Sequence, residues 1–213
     1  MSNQGKGALI GAGGGAGLGA VIGALAGNTA IGAAIGGAVG AGAGAIIGKK
    51  MDKAKAEAEA VQNAQVEAVT DSNGLEAVKV TFDSGILFAT GKADLSSTAK
   101  TSLFQFANVL KNNADCDVAV QGYTDNQGWK GKNAEQSQQK NLELSQQRAQ
   151  SVTNYLLTQG VSSAQIRSTM GFGESNPVAD NSTAAGQKQN RRVEVYLYAS
   201  DEMIKQAEAG TLQ

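Results

Sequence analysis

The chain has 213 residues and a formal net charge of -1, and it contains no histidine. This balanced charge, without a basic block, disfavours nucleic acid as a partner. Histidine is the commonest general base and transition-metal ligand. Because the chain has none, we expect no metal site and no other cofactor. Cys116 is the only cysteine, which excludes an internal disulfide or a CxxC site, so we expect a small buried residue beside a strand there.

Residues 1–48 contain a glycine at every fourth position in two consecutive runs, namely Gly7, Gly11, Gly15, Gly19, Gly23 and Gly27, then Gly32, Gly36, Gly40, Gly44 and Gly48. Glycine costs a helix about 1 kcal/mol against alanine, so the spacing predicts helices whose glycine stripes pack closely. Asn28 and Thr29 predict the turn between the two helices. We therefore expect residues 1–48 to form a membrane-associated glycine-zipper helical hairpin, with a flexible linker as the alternative.

Lysines flank this hairpin at both ends. Lys6 precedes it and Lys49 and Lys50 follow it, so both ends are expected to face one compartment. In an inner membrane the positive-inside bias would make that compartment the cytoplasm. The first residues lack the pattern of a secretory signal, which predicts either a cytoplasmic protein or a mature form without its leader.

The next segment, residues 49–74, predicts a spacer followed by the start of a β-hairpin. Residues 49–62 alternate Lys, Glu and Ala without a helix breaker, as in a solvated helix. Two runs of period-two alternation then flank Asn73 and Gly74, which is a strong turn signal.

Residues 75–199 alternate between strand and helix patterns. Short strands are expected at 86–88, 117–121, 166–171 and 192–198, and in the last of these Val193, Val195 and Leu197 alternate with Glu194, Tyr196 and Tyr198. A helix capped by Ser96 or Ser97 carries the apolar stripe Ala99, Leu103, Phe106, Ala107 and Leu110, and a second helix, from about 136 to 159, carries Leu142, Ala149, Val152 and Leu156 before Gly160. The order predicts an α+β fold, a βαβαβ-type mixed sheet with helices on one face, and leaves residues 200–213 as a C-terminal tail.

Polar residues cluster where this sheet would present a ligand. Thr124 and Asp125 directly follow the strand over 117–121, and the next helix carries Asn141, Ser145 and Arg148 at i, i+4 and i+7. Since an Asp at a strand end and an Arg on the neighbouring helix often form a plain structural ion pair, spacing alone favours that interpretation over a binding site.

Four ordered motifs, preceded by SGILFATGKADL at 84–95, resemble the OmpA-like C-terminal domain: GYTDN at 122–126, NLELSQQRA at 141–149, GFGESNPVADN at 171–181 and NRRVEV at 190–195. The resemblance covers about residues 75–199. The glycine hairpin separately resembles the glycine-zipper segment that precedes such domains in small outer-membrane lipoproteins.

The resemblance implies non-covalent binding of peptidoglycan through the diaminopimelate of its stem peptide. Asp125 would bind the ammonium group and Arg148 the carboxylate, while Thr124 and Asn141 would add neutral hydrogen bonds. Arg191 or Arg192 would close the pocket from the last strand. The implied protein tethers the outer membrane to the cell wall, with its globular domain in the periplasm.

The sequence departs from the family pattern in three places. Asp125 and Arg148 lie 23 positions apart, further than is usual, which leaves an insertion around residues 129–133. Ala89 stands where the family commonly has an aspartate, and the chain has no lipobox cysteine.

Two other functions are compatible with parts of the pattern. Glycine zippers from several chains would give a homo-oligomer or membrane pore, in which the globular domain only positions the assembly. An enzyme acting on the wall is disfavoured, because no nucleophile and base pair, metal cluster or paired carboxylates occur at useful positions.

Overall fold

A computed structural model of the protein describes residues 39–70 and 74–212. The hairpin predicted over residues 1–48 therefore lies outside the described residues, except for its last ten positions. Within the described ranges, no helix combines the length and apolar character needed to cross a bilayer.

The described chain forms one mixed sheet with helices before, between and after its strands. In chain order the elements are α1 (Ala41–Glu59), β1 (Ala64–Thr70), β2 (Glu76–Asp83), α2 (Ser84–Leu87), α3 (Ser97–Asn112), β3 (Cys116–Gly122), α4 (Ala134–Thr158), β4 (Ile166–Gly171), α5 (Ala184–Asn190), β5 (Arg192–Ala199) and α6 (Asp201–Glu208). The strand order across the sheet is β1-β2-β5-β3-β4. Only β3 and β4 pair in parallel, whereas the other neighbours are antiparallel. The predicted fold class is confirmed.

Local side-chain caps explain where the helices begin. Ser96 accepts a hydrogen bond from the Ala99 amide at the start of α3. Asn133 and Gln136 form a reciprocal capping box at the start of α4. These caps satisfy backbone donors that have no partner inside the helix. At the other end of α4, Gly160 has φ of +87°, as the sequence predicts for the residue that stops the helix.

The main hydrophobic core lies between one face of the sheet and the helices α1, α3, α4 and α6. Apolar side chains of α1, α3, α4 and α6 pack there against Val193, Val195 and Leu197 of β5. Because β5 is the central strand, its opposite face is buried as well, and Tyr196 and Tyr198 pack there with apolar residues of the neighbouring strands. Cys116 is buried as predicted, and desolvation raises the pKa of its thiol to about 12.

Residues 49–59 are helical as predicted, but the prediction that residues 49–62 form a solvated spacer is wrong. One continuous helix, α1, runs from Ala41 to Glu59 and packs against β1, β2 and α6. Its buried face is formed by Ala43, Ile47, Met51, Ala54 and Ala58. The alanines carry so little hydrophobicity that the pattern looks solvated, yet their small size allows the helix to lie close to the sheet.

The predicted strand at residues 86–88 is also wrong. Residues 84–87 form the single helical turn α2, because the Asp83 carboxylate accepts a hydrogen bond from the Gly85 amide at 2.6 Å and starts the turn. Phe88 alone is extended, in an isolated antiparallel bridge with Leu95. The apolar run is buried through this turn rather than through a strand.

Two further differences concern helical faces. Leu142, expected in the core stripe of α4, is 42% exposed, whereas Ala149, Val152 and Leu156 are buried as predicted. The segment expected as a C-terminal tail contains α6, whose Met203, Ile204 and Ala207 are buried against the core. Their spacing places all three on one helical face.

Two glycines allow α4 to lie unusually close to β3 and β4. A Cβ atom at Gly122, the last residue of β3, would lie 2.2 Å from the Ser145 carbonyl oxygen of α4. A Cβ at Gly171, the last residue of β4, would lie 2.2 Å from the Gln146 amide nitrogen. Because both neighbours are backbone atoms, the contact cannot be relieved by a change of rotamer. These glycines set the distance between helix and sheet.

The described part of the glycine stripe is packed more loosely. A Cβ at Gly40 would meet nothing within 4 Å, and one at Gly44 would make only an ordinary contact with Leu75 at 4.0 Å. A Cβ at Gly48 would lie 3.0 Å from the flexible carboxylate of Glu76. Within the described residues, these three glycines therefore support no backbone-to-backbone contact, and the close packing predicted for the other eight lies outside the described ranges.

The docking of α1 predicts different effects for one substitution at two sites of the same helix. Ala54 is fully buried and Ala56 is exposed. We expect Ala54→Leu to lower the free energy of unfolding by about 1–3 kcal/mol through overpacking. Ala56→Leu should change it by less than about 0.5 kcal/mol. Urea unfolding followed by circular dichroism measures both, and equal stabilities would contradict the docked position of α1.

The close approach of α4 predicts that Gly122 tolerates no side chain. We expect Gly122→Ala to destabilise the protein by about 3 kcal/mol or more, because the methyl group has no space. Gly42→Ala is the matched control: Gly42 lies in α1 with open space around it, and there alanine should stabilise by up to about 1 kcal/mol. If urea unfolding shows that Gly122→Ala is tolerated as well as Gly42→Ala, helix and sheet are not in this contact.

Candidate functional site

A cavity of about 520 Å³ opens where β3, α4 and the start of β5 come together. We call it the Asp125 cavity. The structure brings together in its wall five of the six residues predicted from the sequence, namely Thr124, Asp125, Asn141, Arg148 and Arg191. Arg192, the sixth, does not line it.

Asp125 is buried at the base of the loop that follows β3. Its side chain is 7% exposed and forms an ion pair with Nη1 of Arg191, whose side chain is 35% exposed. The other carboxylate oxygen accepts a hydrogen bond from the Gln127 amide at 3.1 Å. The Asp125 side chain is therefore held in place by two contacts, one of them with a solvent-accessible arginine.

Arg148 lies opposite, on α4, and is 4% exposed. Its Nε donates to the Lys92 carbonyl at 3.0 Å, and its guanidinium carbon lies 5.1 Å from the centre of the Phe88 ring. The predicted plain ion pair with Asp125 is absent from the ion pairs formed among the described residues, and none of these residues accepts a hydrogen bond from Nη1 or Nη2 of Arg148. Burial and the nearby positive charge of Arg191 lower the pKa of Arg148 to about 10, so the group stays charged at neutral pH.

Two buried hydroxyl groups add to the unsatisfied polar character of the Asp125 cavity. The Ser84 and Thr124 side chains both line it, and their oxygens have no hydrogen-bond partner among the described residues. Ser84 is 1% exposed and Thr124 is 4% exposed. Because a buried polar group without a partner costs about 1–3 kcal/mol, their positions favour a polar ligand that supplies the missing bonds.

Asn141 lines the cavity, but its polar atoms are already engaged. Its Oδ1 accepts a hydrogen bond from the indole nitrogen of Trp129 at 2.7 Å. Its Nδ2 lies within hydrogen-bond distance of the carbonyls of Asp125 and Gln127, at 3.4 Å and 3.1 Å, and of Glu174 Oε2 at 3.3 Å. Asn141 thus holds the loop after β3 against α4, rather than presenting a free amide to a ligand.

Arg192 belongs to a separate buried network on the opposite face of the sheet. Its Nε donates to Glu194 at 2.7 Å, and its Nη atoms donate to the carbonyls of Asn190 and Asn176 at 3.2 Å and 3.1 Å. The guanidinium carbon lies 3.8 Å from the centre of the Tyr123 ring. Since all three nitrogens have partners, Arg192 stabilises the fold, and of the two adjacent arginines only Arg191 reaches the cavity.

Several residues of the cavity wall were not assigned by sequence reasoning, among them Ser84, Phe88 and Trp129. Phe88 lies in the segment that the sequence predicts to be a strand, and Ser84 lies just before it, at the start of the SGILFATGKADL motif. Trp129 was noted only as part of the insertion, although it is the only tryptophan in the chain. A single large aromatic residue inside a polar insertion was the available signal.

Comparison with known proteins assigns a family to this part of the chain. Residues 87–191 match the OmpA family, and residues 10–55 match a glycine zipper family. The chain carries an OmpA-family domain.

Curated relatives are similar to this chain over about half of its length. The probable lipoprotein YiaD of Escherichia coli is 45% identical over 118 residues, which are 55% of this chain and 47% of YiaD. The peptidoglycan-binding protein ArfA of Mycobacterium tuberculosis is 38% identical over 112 residues, 53% of this chain and 32% of ArfA. The chain thus spans less than half of the length of either relative.

Solved structures share the fold of the OmpA-family domain. A MotB-like protein from Desulfovibrio vulgaris aligns with a TM-score of 0.60 over 71% of this chain and 93% of its own, at 23% identity. The cell wall anchor of the type VI secretion system (T6SS) from Pseudomonas aeruginosa aligns with a TM-score of 0.56 over 70% of this chain and 97% of its own, at 27% identity.

The five predicted residues that line the Asp125 cavity all lie within the OmpA-family domain. The matched region ends at Arg191, so β5 and the buried pair of Arg192 and Glu194 follow it. The helix α1 and the hairpin of β1 and β2 precede it. The structure therefore extends the OmpA-family domain by elements that complete its sheet and its core.

The position of Arg192 predicts a stability defect rather than a binding defect. We expect Arg192→Ala to lower the free energy of unfolding by about 3–5 kcal/mol, because it leaves the buried Glu194 carboxylate without its cation. Adding Glu194→Gln should recover part of this loss. As a control, Arg167→Ala removes an exposed arginine whose ion pair with Asp117 should contribute at most about 1 kcal/mol. Urea unfolding that leaves Arg192→Ala as stable as Arg167→Ala would contradict this role.

Proposed function

We propose that the Asp125 cavity binds the stem peptide of peptidoglycan and that its ligand group is diaminopimelate, which carries an ammonium and a carboxylate at the same carbon atom. The observation that carries this proposal is the pairing of charges in one cavity. A buried carboxylate at Asp125 faces the same space as Arg148, whose Nη atoms have no described partner. A ligand with both charges complements both sides.

The structure changes how the two charges of the ligand would be held. Asp125 already pairs with Arg191, so the ligand ammonium would join an existing ion pair. Arg191 and Arg148 both line the cavity, so the ligand carboxylate would bind two guanidinium groups rather than Arg148 alone. This arrangement relieves the repulsion between the two arginines, which contributes to the lowered pKa of Arg148.

The remaining polar atoms of the cavity fit the same ligand. The unpartnered hydroxyls of Ser84 and Thr124 are available to the ligand's charged groups or peptide bonds. Charge-assisted hydrogen bonds contribute about 1.5–3 kcal/mol each, so a single cavity would bind with modest affinity. Many copies in one membrane, facing a polymer that repeats the ligand, would together be retained strongly.

The relatives support a role at the cell wall. ArfA is named a peptidoglycan-binding protein, and the structure from Pseudomonas aeruginosa is a cell wall anchor. YiaD is named a probable lipoprotein, and outer membrane protein P5 of Haemophilus influenzae is 35% identical over 138 residues. We extend the proposal accordingly. The domain lies in the periplasm, and the glycine-zipper segment that precedes α1 associates with the outer membrane, so that the protein tethers that membrane to the wall. Residues 41–48 of the predicted hairpin belong to α1 and pack on the domain instead.

Binding to purified sacculi and to a soluble muropeptide tests the proposed ligand. We expect Arg148→Gln to weaken binding of a disaccharide-tripeptide ending in diaminopimelate by about 10- to 100-fold, since one charge-assisted contact is lost. Asp125→Asn should have an effect of similar size. Calorimetry on the full chain gives the affinities, and co-sedimentation with sacculi gives retention.

The control for this experiment is Arg167→Gln, which removes the same charge from a half-exposed position on β4 outside the cavity. It should bind like the unmodified protein. A stem peptide with lysine in place of diaminopimelate should bind more weakly, because it keeps the ammonium and lacks the carboxylate. Unchanged binding by both Arg148→Gln and Asp125→Asn would show that the Asp125 cavity is not the peptidoglycan site.

A further inference from the structure

Trp129 lies in the wall of the Asp125 cavity, within the insertion that connects β3 to α4. It is the only tryptophan among the 213 residues, and it is half-buried although its chain neighbours Gly128 and Lys130 are exposed. An exposed loop that directs one large aromatic side chain into a charged cavity is unusual. The role of Trp129 follows from what holds it there and what it faces.

Three hydrogen bonds fix the position of Trp129. Its indole nitrogen donates to Asn141 Oδ1 at 2.7 Å, and its amide donates to Ser137 Oγ at 3.0 Å. Its carbonyl accepts from the Lys132 amide at 3.0 Å, which closes the turn. The far end of the indole ring reaches the loop after α2, where a Cβ at Gly91 would lie 3.7 Å from Cη2. The ring therefore spans from α4 to the loop after α2, as a fixed wall.

The rest of the cavity wall offers a ligand little apolar surface apart from the Trp129 ring. Asp125, Arg148 and Arg191 supply charge, and the Phe88 ring is already engaged by the guanidinium of Arg148 at 5.1 Å. Besides Phe88 and Trp129, the apolar side chains in the wall are Ala184 and Leu144, of which Leu144 is 8% exposed. A ligand whose charged end is attached to a chain of methylene groups would place that chain against the indole. The same ring also attracts an ammonium group held near Asp125.

We infer that Trp129 contacts the ligand directly and is an affinity and selectivity determinant of the Asp125 cavity. Its ring packs against the methylene chain that connects the charged end of the diamino acid to the rest of the stem peptide. This inference rests on the proposed function, because the ligand is the same. The insertion around residues 129–133 then takes part in ligand binding, in addition to connecting β3 to α4.

The fluorescence of the unmodified full chain gives a direct readout, since all of its tryptophan emission comes from Trp129. We expect titration with the disaccharide-tripeptide ending in diaminopimelate to change the emission in a saturable way, with the dissociation constant that calorimetry gives. Trp129→Ala should weaken binding by about 10-fold, as for loss of a desolvated aromatic contact. Trp129→Phe keeps an aromatic ring but loses the bond to Asn141 and the outer part of the indole that reaches Gly91, so it should weaken binding less than Trp129→Ala, by about 3-fold.

Phe104→Ala is the matched control, because it removes a half-exposed aromatic side chain of α3 that does not line the cavity. It should leave binding unchanged. Circular dichroism and the thermal midpoint of each variant separate loss of contact from loss of structure, and Trp129→Phe keeps the test valid if Trp129→Ala unfolds.

The outcomes separate this inference from the proposed function. Calorimetric binding with no change in Trp129 emission, or equal affinities for Trp129→Ala and the unmodified chain, would overturn the role of Trp129 and leave the proposed function intact. If the unmodified chain binds neither muropeptide nor sacculi, the proposed function fails and the inference fails with it. A saturable emission change together with weakened binding by Trp129→Ala supports both.

Discussion

The contact on which the rest of the structure depends is the close approach of α4 to the ends of β3 and β4. At Gly122 and Gly171 the helix backbone lies where a side chain would otherwise stand. The contact is strengthened by hydrogen bonds from Gly171 N to Gln146 Oε1 at 2.7 Å and from Gly173 N to Ser145 Oγ at 2.8 Å. Because α4 is rigid, fixing its middle at the sheet also fixes Arg148 one turn further on, beside the loop that carries Asp125.

A second constraint acts from the opposite face of the sheet. The buried pair of Arg192 and Glu194 is joined by the Tyr196 hydroxyl, which donates to Glu194 Oε2 at 2.7 Å. Arg192 also binds the carbonyls of Asn190 and Asn176, so the segment that leads into β5 is held on both sides. Since Arg191 precedes this anchored residue, its side chain is directed towards Asp125. A buried ion pair contributes little net stability, and its role here is to specify this geometry.

The sequence predicted the elements whose patterns are strong and local. Three strands, the helices α3 and α4, the hairpin of β1 and β2 and the stop at Gly160 follow from alternation, caps and the conformational freedom of glycine. It was wrong at residues 86–88, because a single capped turn buries an apolar run as well as a strand does. The faces of α1 and α6 were missed since their burial is decided by tertiary contacts with distant strands and helices.

The sequence predicted five residues that line the Asp125 cavity, because they lie in recognisable motifs. Along the N-terminal half of α4 the buried side chains are mostly polar, namely Ser137, Asn141, Ser145 and Arg148 with the single apolar Leu144, while Leu142 is exposed. Hydrophobic periodicity therefore predicts the wrong buried face for that half of α4. The stripe of polar side chains is the better indicator of the face that borders the cavity. The partners within the site were not predictable. Asp125 pairs with Arg191 rather than Arg148, Asn141 is engaged by Trp129, and the strand register alone decides which of two adjacent arginines reaches the cavity.

The seating of α1 has a mechanical consequence. A force applied at the N-terminal end of α1 and balanced at the Asp125 cavity would cross the packed face of α1 into β2, and from β2 through its antiparallel ladder into β5. Tension would then shear a helix along a sheet and load many contacts at once, instead of extending a slack linker. Resistance to such a pull is governed by the rate at which the domain unfolds. The buried residues of α1 therefore determine how long the N-terminal end of α1 stays joined to the Asp125 cavity under force.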